Sequence, residues 1–285
     1  MTLILRKCKS DGSSRNRFKY GKTGERVTCP DWDPKPECGH GLHGLKEGNG
    51  DWELLEGHDW LIIDADDQIV DIDEEKCKFN TGVILFRGTA EELANSEYPN
   101  KLNLNSQSAY QWARHIGNHD IMMHKITESE DAYCWAKYIG NYDIMINKIT
   151  NSGHAYEWAV TIGNEDIMIN KIIDSECAYK WAKNIGDKDI MINKITDSYW
   201  AFCWAMDIGD KDVMINKITD SPIAFYWAFY IGDRDIMINK IDNSEYAFWW
   251  AKDFGNQDIM KEKVIEERWI QRWNFVFPDN RIERQ

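Results

Sequence analysis

Residues 175–197 read SECAYKWAKNIGDKDIMINKITD, and residues 198–220 follow with SYWAFCWAMDIGDKDVMINKITD. The same 23-residue unit occurs seven times in tandem between residues 109 and 260. Its tryptophan recurs at one fixed interval, at Trp112, Trp135, Trp158, Trp181, Trp204, Trp227 and Trp250. Self-similarity with a period of about 20–50 residues is typical of repeat architectures. The sequence therefore predicts an array of one structural unit.

The unit contains the signals of two short helices. In the second copy the first helix has one apolar stripe at helical spacing, formed by Ala132, Trp135, Ala136 and Ile139. Ser129 is expected to cap the start of this helix and Gly140 to end it, since glycine adopts positive φ at little cost. Asp143 is expected to cap the second helix, which ends before Thr150. In the sixth copy Pro222 fits the first turn of a helix, where its missing N–H costs nothing.

Helices this short are unstable alone in water, so neighbouring copies must pack together. The expected fold class is a small α+β N-terminal domain at residues 1–100, followed at residues 106–260 by an all-α solenoid of seven helix–turn–helix repeats. Residues 261–285 are expected to form a C-terminal capping helix and tail. The recurring Trp, Ile and Met side chains are assigned to the core.

The residues that differ between copies are the candidates for a functional role. The slots of Gln111, Arg114 and His115 share a helical face opposite the Trp and Ala stripe, and are expected to form an exposed ridge. In the C-terminal third the ridge and its adjoining turns become aromatic. This gives a candidate partner-binding surface made by Tyr199, Trp200, Tyr226, Phe229, Tyr230, Tyr246 and Trp249. The alternative is that these side chains pack against the C-terminal cap or the N-terminal domain.

In copies two to six the second helix also ends in a recurring Asn-Lys pair, from Asn147–Lys148 to Asn239–Lys240. Identical polar side chains at every step indicate either a hydrogen-bonded ladder across repeats or a charged stripe. The Lys row is suited to an acidic partner. The alternative is that each Lys neutralises the Asp side chains of nearby turns, in surface pairs that are individually weak.

Residues 1–100 lack the repeat. Apolar runs predict strands at residues 3–5, 60–63 and 82–86, and residues 89–94 predict a short helix with Thr89 as its N-cap. Residues 99–105 are expected to be a linker. The most distinctive segment holds Cys29, Cys38, His40 and His43, ligand types that zinc favours. Their spacing matches none of the common zinc patterns, so the alternative is a turn with a packed Cys and a hydrogen-bonded His.

Part of this domain resembles a known family. The segment Phe18–Lys22, followed by C-x-x-G-L-H from Cys38 to His43, is similar to the start of an uncharacterised domain family of phage and bacterial proteins. That family opens with F-x-Y-x-x-G-K and C-x-x-G-[FL]-H-x-C motifs, often ahead of a variable repeat region. The likeness covers roughly residues 1–90, and the last Cys is missing because Gly44 and Leu45 follow His43. The resemblance implies a phage or prophage origin and assigns no chemistry.

Composition restricts the classes of function. The 285-residue chain has a formal net charge of −14, which disfavours direct binding to nucleic acid or to an anionic membrane. No apolar run reaches the ~20 residues that span a bilayer, and the N-terminus lacks a secretory signal. Seven scattered Cys indicate a reduced, cytoplasmic protein, in the host cytoplasm if it is phage-encoded.

Three functions remain in view. The repeats favour a non-catalytic module that binds a protein partner, such as a host defence protein, with no catalytic residue and no cofactor. The second is a nucleotide- or metal-dependent, ADP-ribosyltransferase-like enzyme in the N-terminal domain, with the solenoid for targeting; His40, His43 and His58 are acid–base or ligand candidates. The third is an acidic mimic of nucleic acid, against which the interleaved Lys row argues.

Overall fold

A computed structural model describes residues 1–14, 18–74 and 76–283. The chain divides into two compact units, Met1–Thr150 and Asn151–Gln285. The first unit contains a sheet and the first two helical repeats, and the second contains the later repeats and a C-terminal helix. The division into residues 1–100, 106–260 and 261–285 stays a prediction.

The first unit begins with a curled antiparallel sheet. In the described part of the chain its seven strands are β1 (Thr2–Cys8), β2 (Arg26–Thr28), β3 (Leu42–Lys46), β4 (Asp59–Ala65), β5 (Ile69–Asp71), β6 (Cys77–Phe79) and β7 (Thr81–Gly88). Their order across the sheet is β2-β7-β4-β1-β3-β6-β5. The strands predicted at residues 3–5, 60–63 and 82–86 are confirmed within β1, β4 and β7. The sequence analysis missed the other four, which are shorter.

The two central strands carry the core of the sheet. β1 and β4 pair along their whole length, from Thr2 opposite Ala65 to Cys8 opposite Asp59. One face of this pair, together with side chains of the neighbouring strands, forms a buried cluster of Ile4, Cys8, Tyr20, Val27, Cys29, Leu42, Leu61, Ile63, Ala65, Cys77, Phe79 and Ile84. Burial of each large apolar side chain stabilises the fold by about 1.5–3 kcal/mol. This cluster fixes the strands around which the N-terminal candidate residues lie.

Helices of the first unit follow the sheet: α1 (Ala90–Ala94), α2 (Tyr98–Lys101), α3 (Ser106–His115), α4 (His119–Lys125), α5 (Ser129–Tyr138) and α6 (Tyr142–Met145), with a 3-10 turn at Ile146–Lys148. Thr89 caps α1 in a capping box with Glu92, as predicted. The expected linker at residues 99–105 is partly wrong, because α2 occupies its first residues.

Trp52 joins the sheet to the first repeat. It lies in a short 3-10 helix, Trp52–Leu54, between the sheet and the helices. Its ring centroid is 5.7 Å from that of Trp60 in β4 and 6.1 Å from that of Trp112 in α3. Its indole N–H donates to the carbonyl of Gly48 at 3.1 Å. The first repeat therefore packs on the sheet through an aromatic contact.

The second unit repeats one pattern, a helix of ten or eleven residues followed by a short helix. Its helices are α7 (Ser152–Thr161), α8 (Glu165–Met168), α9 (Ser175–Asn184), α10 (Lys188–Met191), α11 (Ser198–Asp207), α12 (Lys211–Met214), α13 (Ser221–Tyr230), α14 (Arg234–Met237), α15 (Ser244–Phe254), α16 (Gln257–Lys261) and α17 (Glu267–Val276). Short 3-10 turns extend four of them, at Ile169–Lys171, Ile192–Lys194, Ile215–Lys217 and Ile238–Lys240. The regular spacing from α3 to α16 confirms a helical repeat region. No helix in the described ranges is long and apolar enough to cross a bilayer.

The helix starts differ from the prediction at one residue. In α9 the N-cap is Asp174, whose carboxylate accepts the Cys177 N–H at 2.8 Å, and Ser175 is the first helical residue. The Ser175 hydroxyl accepts the backbone N–H of Thr196 at 2.9 Å, in the turn that ends the same repeat. Ser129 does the same for the Thr150 N–H at 3.0 Å. The expected capping role of Ser129 is therefore wrong, and this serine ties the two ends of its repeat together.

The turn between the two helices contains two residues with positive φ. The expected role of glycine is confirmed at Gly140 and its equivalents, which have φ near 113° at Gly140 and 137° at Gly186. The next residue is also left-handed, with φ of 56° at Asn141 and 52° at Asp187, a conformation that Asn and Asp adopt more readily than other residues. Helix α6 starts at Tyr142, so Asp143 lies inside its first turn and does not cap it, contrary to the prediction.

The recurring Asn and Lys side chains donate hydrogen bonds to backbone carbonyls. Lys194, Lys217 and Lys240 each donate to the carbonyl of the Ile that ended the preceding repeat, at 2.6, 2.7 and 2.6 Å. The helix C-terminus is where carbonyls lack partners, so each ammonium stabilises the end of the repeat before it. The amide of Asn193 donates to the Asp189 carbonyl of its own helix at 3.1 Å. The predicted ladder across repeats is therefore found for these Lys side chains and not for Asn193, and the ammonium groups bond to carbonyls instead of neutralising Asp side chains of nearby turns.

Candidate functional site

The exposed aromatic side chains of α13 form the candidate site, called here the aromatic surface: Tyr226, Phe229 and Tyr230. They occupy positions i, i+3 and i+4, which share one face of a helix. Their exposed fractions are 42%, 55% and 61%. Large aromatic side chains rarely stay this open in a cluster unless the cluster has a binding role. The predicted ridge thus reaches solvent on this helix.

Contacts among the rings hold the aromatic surface in place. The Tyr226 and Tyr230 rings stack with centroids 6.4 Å apart, and Phe229 meets Tyr230 edge-on at 5.1 Å. Beneath them the buried ring of Phe225 lies 6.4 Å from Phe229 and 5.4 Å from Phe254. Rigid aromatic side chains lose little conformational entropy on binding, which favours their use as anchors.

Tyr246 supports this surface from the neighbouring repeat. It is partly buried, and its ring centroid lies 6.5 Å from that of Tyr226 and 5.8 Å from that of Phe225. Burial, and then the nearby Tyr226 and Glu245, raise the pKa of the Tyr246 hydroxyl. It stays neutral at physiological pH and extends the aromatic surface at its edge.

Tyr199 and Trp200 lie on the preceding repeat in a separate group. Trp200 is partly buried against Tyr179, with ring centroids 5.3 Å apart, and Tyr199 meets Trp200 edge-on at 5.0 Å. Beside them Lys183 forms an ion pair with Asp207 at 2.7 Å, and the Tyr179 hydroxyl also donates to Asp207. Only Tyr199 of the predicted pair is largely exposed, so this group offers less surface than α13.

Trp249 packs against the C-terminal helix α17. Its ring centroid lies 6.4 Å from that of Trp269, and the guanidinium of Arg272 covers it at 5.1 Å. The ammonium of Lys252 lies over the same ring at 4.8 Å. The alternative stated for the aromatic residues, packing on the C-terminal cap, is the arrangement found at Trp249.

One row of exposed apolar side chains was missed by the sequence analysis. The Ile or Val that precedes each recurring Met is 42–50% exposed in the second unit, at Ile167, Ile190, Val213, Ile236 and Ile259. The assignment of every recurring Ile to the core is therefore wrong for this position, whereas Met191 and Ile195 are fully buried. Adjacent helical residues are about 100° apart, so a fully buried Met directs its neighbour outward.

Acidic residues flank the aromatic surface. The position of Tyr230 is occupied by Asp207 in the repeat before and by Asp253 in the repeat after, and both are exposed. Helices α11 and α15, which carry them, pack on either side of α13. The exposed rings of α13 thus lie between two helices that each carry an exposed carboxylate.

The N-terminal candidates separate into two pairs. The buried Cys29 thiol donates to Asp31 at 3.2 Å, burial raises its pKa, and His40 meets the same carboxylate at 2.9 Å. Exposed Cys38 and half-buried His43 instead line one cavity. Within residues 1–14, 18–74 and 76–283, no group of three or more His, Cys, Asp or Glu is arranged to hold a metal ion. The four predicted zinc ligands are therefore not brought together, and His40 has the hydrogen bond of the alternative.

Comparisons of this chain with protein-family models, with curated proteins and with solved structures returned no match.

Proposed function

We propose that this protein is a non-catalytic interaction module, a seven-repeat α-solenoid that binds a protein partner through the aromatic surface. The observation that carries the proposal is the exposure of Tyr226, Phe229 and Tyr230 on one helical face, with their rings fixed by mutual contacts. Aromatic residues dominate the energetics of protein interfaces when a partner desolvates them. Tyr246 extends this contact region at its edge, and Tyr199 lies in the separate group on the preceding repeat.

The flanking charges indicate the chemistry of the partner. Asp253 and Asp207, which is paired with Lys183, lie on the helices beside the aromatic surface, in a chain of net charge −14. A complementary partner therefore presents an apolar or aromatic group with a Lys or Arg beside it. Arginine suits this surface best, because its guanidinium stacks on aromatic rings while it pairs with carboxylates.

The likeness of the first part of the chain to phage and bacterial proteins supports a setting for this interaction. In that setting the protein acts in the host cytoplasm on a host protein, for example one used in defence. A mimic of nucleic acid is less well supported, because exposed aromatic and aliphatic side chains interrupt the negative surface.

The test is a capture experiment with a matched control. Full-length protein with a photo-crosslinker at Met206, which is 49% exposed and occupies the slot of Phe229 one repeat earlier, is incubated with host lysate. The control is Tyr138→Ala, since Tyr138 fills the slot of Tyr230 four repeats earlier and is 64% exposed. A crosslinked protein that is lost with Phe229→Ala and Tyr230→Ala but kept with Tyr138→Ala supports the proposal. Capture that survives both aromatic substitutions refutes it.

A further inference from the structure

A cavity in the first unit opens where two paired strands separate. β1 pairs with β3 at Ile4 opposite Lys46 and Leu5 opposite Leu45. Beyond these two pairs, the guanidinium of Arg6 donates to the carbonyl of His43. The opening is a cavity of about 320 Å³. Its size lies at the lower end of the ~300–1,000 Å³ range of small-molecule sites.

The wall of this cavity carries three cations, Arg6, Lys7 and Lys76, and two carboxylates, Glu53 and Glu56. Lys76 also pairs with Asp73 at 3.7 Å. The lining has a formal excess of one positive charge, in a chain whose net charge is −14. Neighbouring cations lower the free energy of an anion placed beside them.

Two of these cations are held in place by aromatic rings. The guanidinium of Arg6 lies 4.6 Å from the ring centroid of Tyr20, and the ammonium of Lys7 lies 4.4 Å from that of Trp60. Burial lowers the pKa of Lys7, which reflects the cost of keeping its charge away from water. A bound anion relieves that cost, because an opposite charge favours the protonated form. The cations are therefore positioned before a ligand arrives.

Two buried nitrogens of the cavity wall lack a partner. In the described part of the chain, Arg6 Nε and His43 Nε2 are both enclosed and have no hydrogen-bond partner. Burial, followed by the charges of Arg6, Lys78 and Lys76, lowers the pKa of His43 to about 4, so its imidazole is neutral at physiological pH. Arg6 Nε is a donor, and a neutral imidazole offers a donor or an acceptor at Nε2 according to its tautomer. Unpaired buried polar groups are rare in native proteins, so these two nitrogens mark an unusual polar environment behind the cavity wall.

We infer that this cavity binds a small multivalent anion, with phosphate or carboxylate groups held by Lys7 and Lys76. The side chains of Leu45, Leu54 and Leu55 supply an apolar wall, which suits a ligand that has a compact carbon body beside its anionic group. A glycine is required at position 44, because a Cβ there would come within 2.3 Å of Ile4 Cγ2 and push β1 and β3 apart.

The experiment is calorimetric titration of the full chain at low ionic strength with two probes, pyrophosphate and citrate. Wild-type protein is expected to bind at least one of them. Lys7→Gln and Lys76→Gln are each expected to weaken binding about tenfold, a usual effect of removing one charged contact. Lys9→Gln is the control, because Lys9 is exposed on the same segment and lies outside the cavity.

Preference for pyrophosphate assigns the ligand to phosphate compounds, and preference for citrate assigns it to polycarboxylates; both support the site. The site is refuted if neither probe binds, or if Lys9→Gln weakens binding as much as Lys7→Gln and Lys76→Gln. Far-ultraviolet circular dichroism of each variant checks that the fold is intact. None of these outcomes bears on the aromatic surface, so this inference and the proposed function stand or fall separately.

Discussion

The second repeat, residues 129–150, and the sixth, residues 221–242, share one backbone and carry different surfaces. In the second, Tyr138 is exposed but lies beneath two cations, with Lys137 at 5.4 Å and Arg114 at 5.9 Å from its ring centroid. In the sixth, the equivalent Tyr230 stacks on Tyr226 and meets Phe229 edge-on. The first surface already uses its ring faces for internal cation–π contacts. The second presents rings supported only by other rings, which is the arrangement suited to an external cation or aromatic group.

The turns of the two repeats also differ. Asp233 accepts the indole N–H of Trp227 at 3.1 Å, as Asp187 and Asp210 do for the tryptophans of their repeats. The second repeat has Asn141 at this position, and in the described part of the chain the indole N–H of Trp135 is buried without a partner. The same left-handed turn thus accommodates either residue, but Asp also completes the hydrogen bonding of the core. The turn residue is left-handed in both repeats, whereas the hydrogen bond to the indole N–H is made in the sixth repeat and not in the second.

The largest expected effect is the one that both repeats share. Trp135→Ala and Trp227→Ala are each expected to lower the free energy of unfolding by about 3–5 kcal/mol, since both indoles are fully buried. Urea unfolding followed by circular dichroism measures this loss. Tyr138→Ala, at an exposed position, should change it by less than about 0.5 kcal/mol. A small loss at either tryptophan would show that the indole does not have the same structural role in the two repeats.

The next effect concerns the lysines that cap the preceding repeat. Lys148 donates to the Ile126 carbonyl at 2.6 Å and Lys240 to the Ile218 carbonyl at 2.6 Å. Lys148→Met and Lys240→Met are each expected to cost about 1–3 kcal/mol, because a half-buried carbonyl loses its donor. Lys211→Met is the control, since Lys211 is exposed at a helix start. Equal stability of all three variants in thermal unfolding would contradict the capping role.

The smallest expected effect concerns the turn residue that differs between the two repeats, Asn141 in the second and Asp233 in the sixth. Asn141→Asp is expected to stabilise the protein by about 0.5–1.5 kcal/mol, because a carboxylate can accept the Trp135 indole N–H. The reciprocal change, Asp233→Asn, replaces the charged acceptor of the Trp227 indole N–H with a neutral amide and should cost a similar amount. Chemical denaturation of the pair measures both signs. Two shifts in the same direction would show that turn propensity, not the indole hydrogen bond, governs this position.

Much of the repeat could be predicted from its spacing, because burial of Trp and Met recurs with the helical period and glycine marks the turn. The helix start could not be predicted, since Asp174 and Ser175 are both good N-caps and lie next to each other. Only the fold shows that the aspartate caps the helix while the serine bonds the end of its repeat. The lysine contacts join residues 22 positions apart, which no local pattern encodes.

Residue spacing also predicted part of the candidate site. The helical face shared by Tyr226, Phe229 and Tyr230 follows from residue spacing and is confirmed as exposed. The packing of Trp249 beneath Arg272 depends on where α17 lies, which the sequence does not state. The cavity beside Arg6 and His43 also depends on strand separation, so its residues lie far apart in the chain.

The central claim is that the sixth repeat binds a partner which the second repeat cannot bind. The most direct measurement is the dissociation constant of the crosslinked partner for wild type, Tyr230→Ala and Tyr138→Ala, by calorimetry with purified proteins. We expect Tyr230→Ala to weaken binding by about tenfold to thirtyfold, as at interface hot spots, and Tyr138→Ala to leave it unchanged. Equal dissociation constants for all three proteins would contradict the claim.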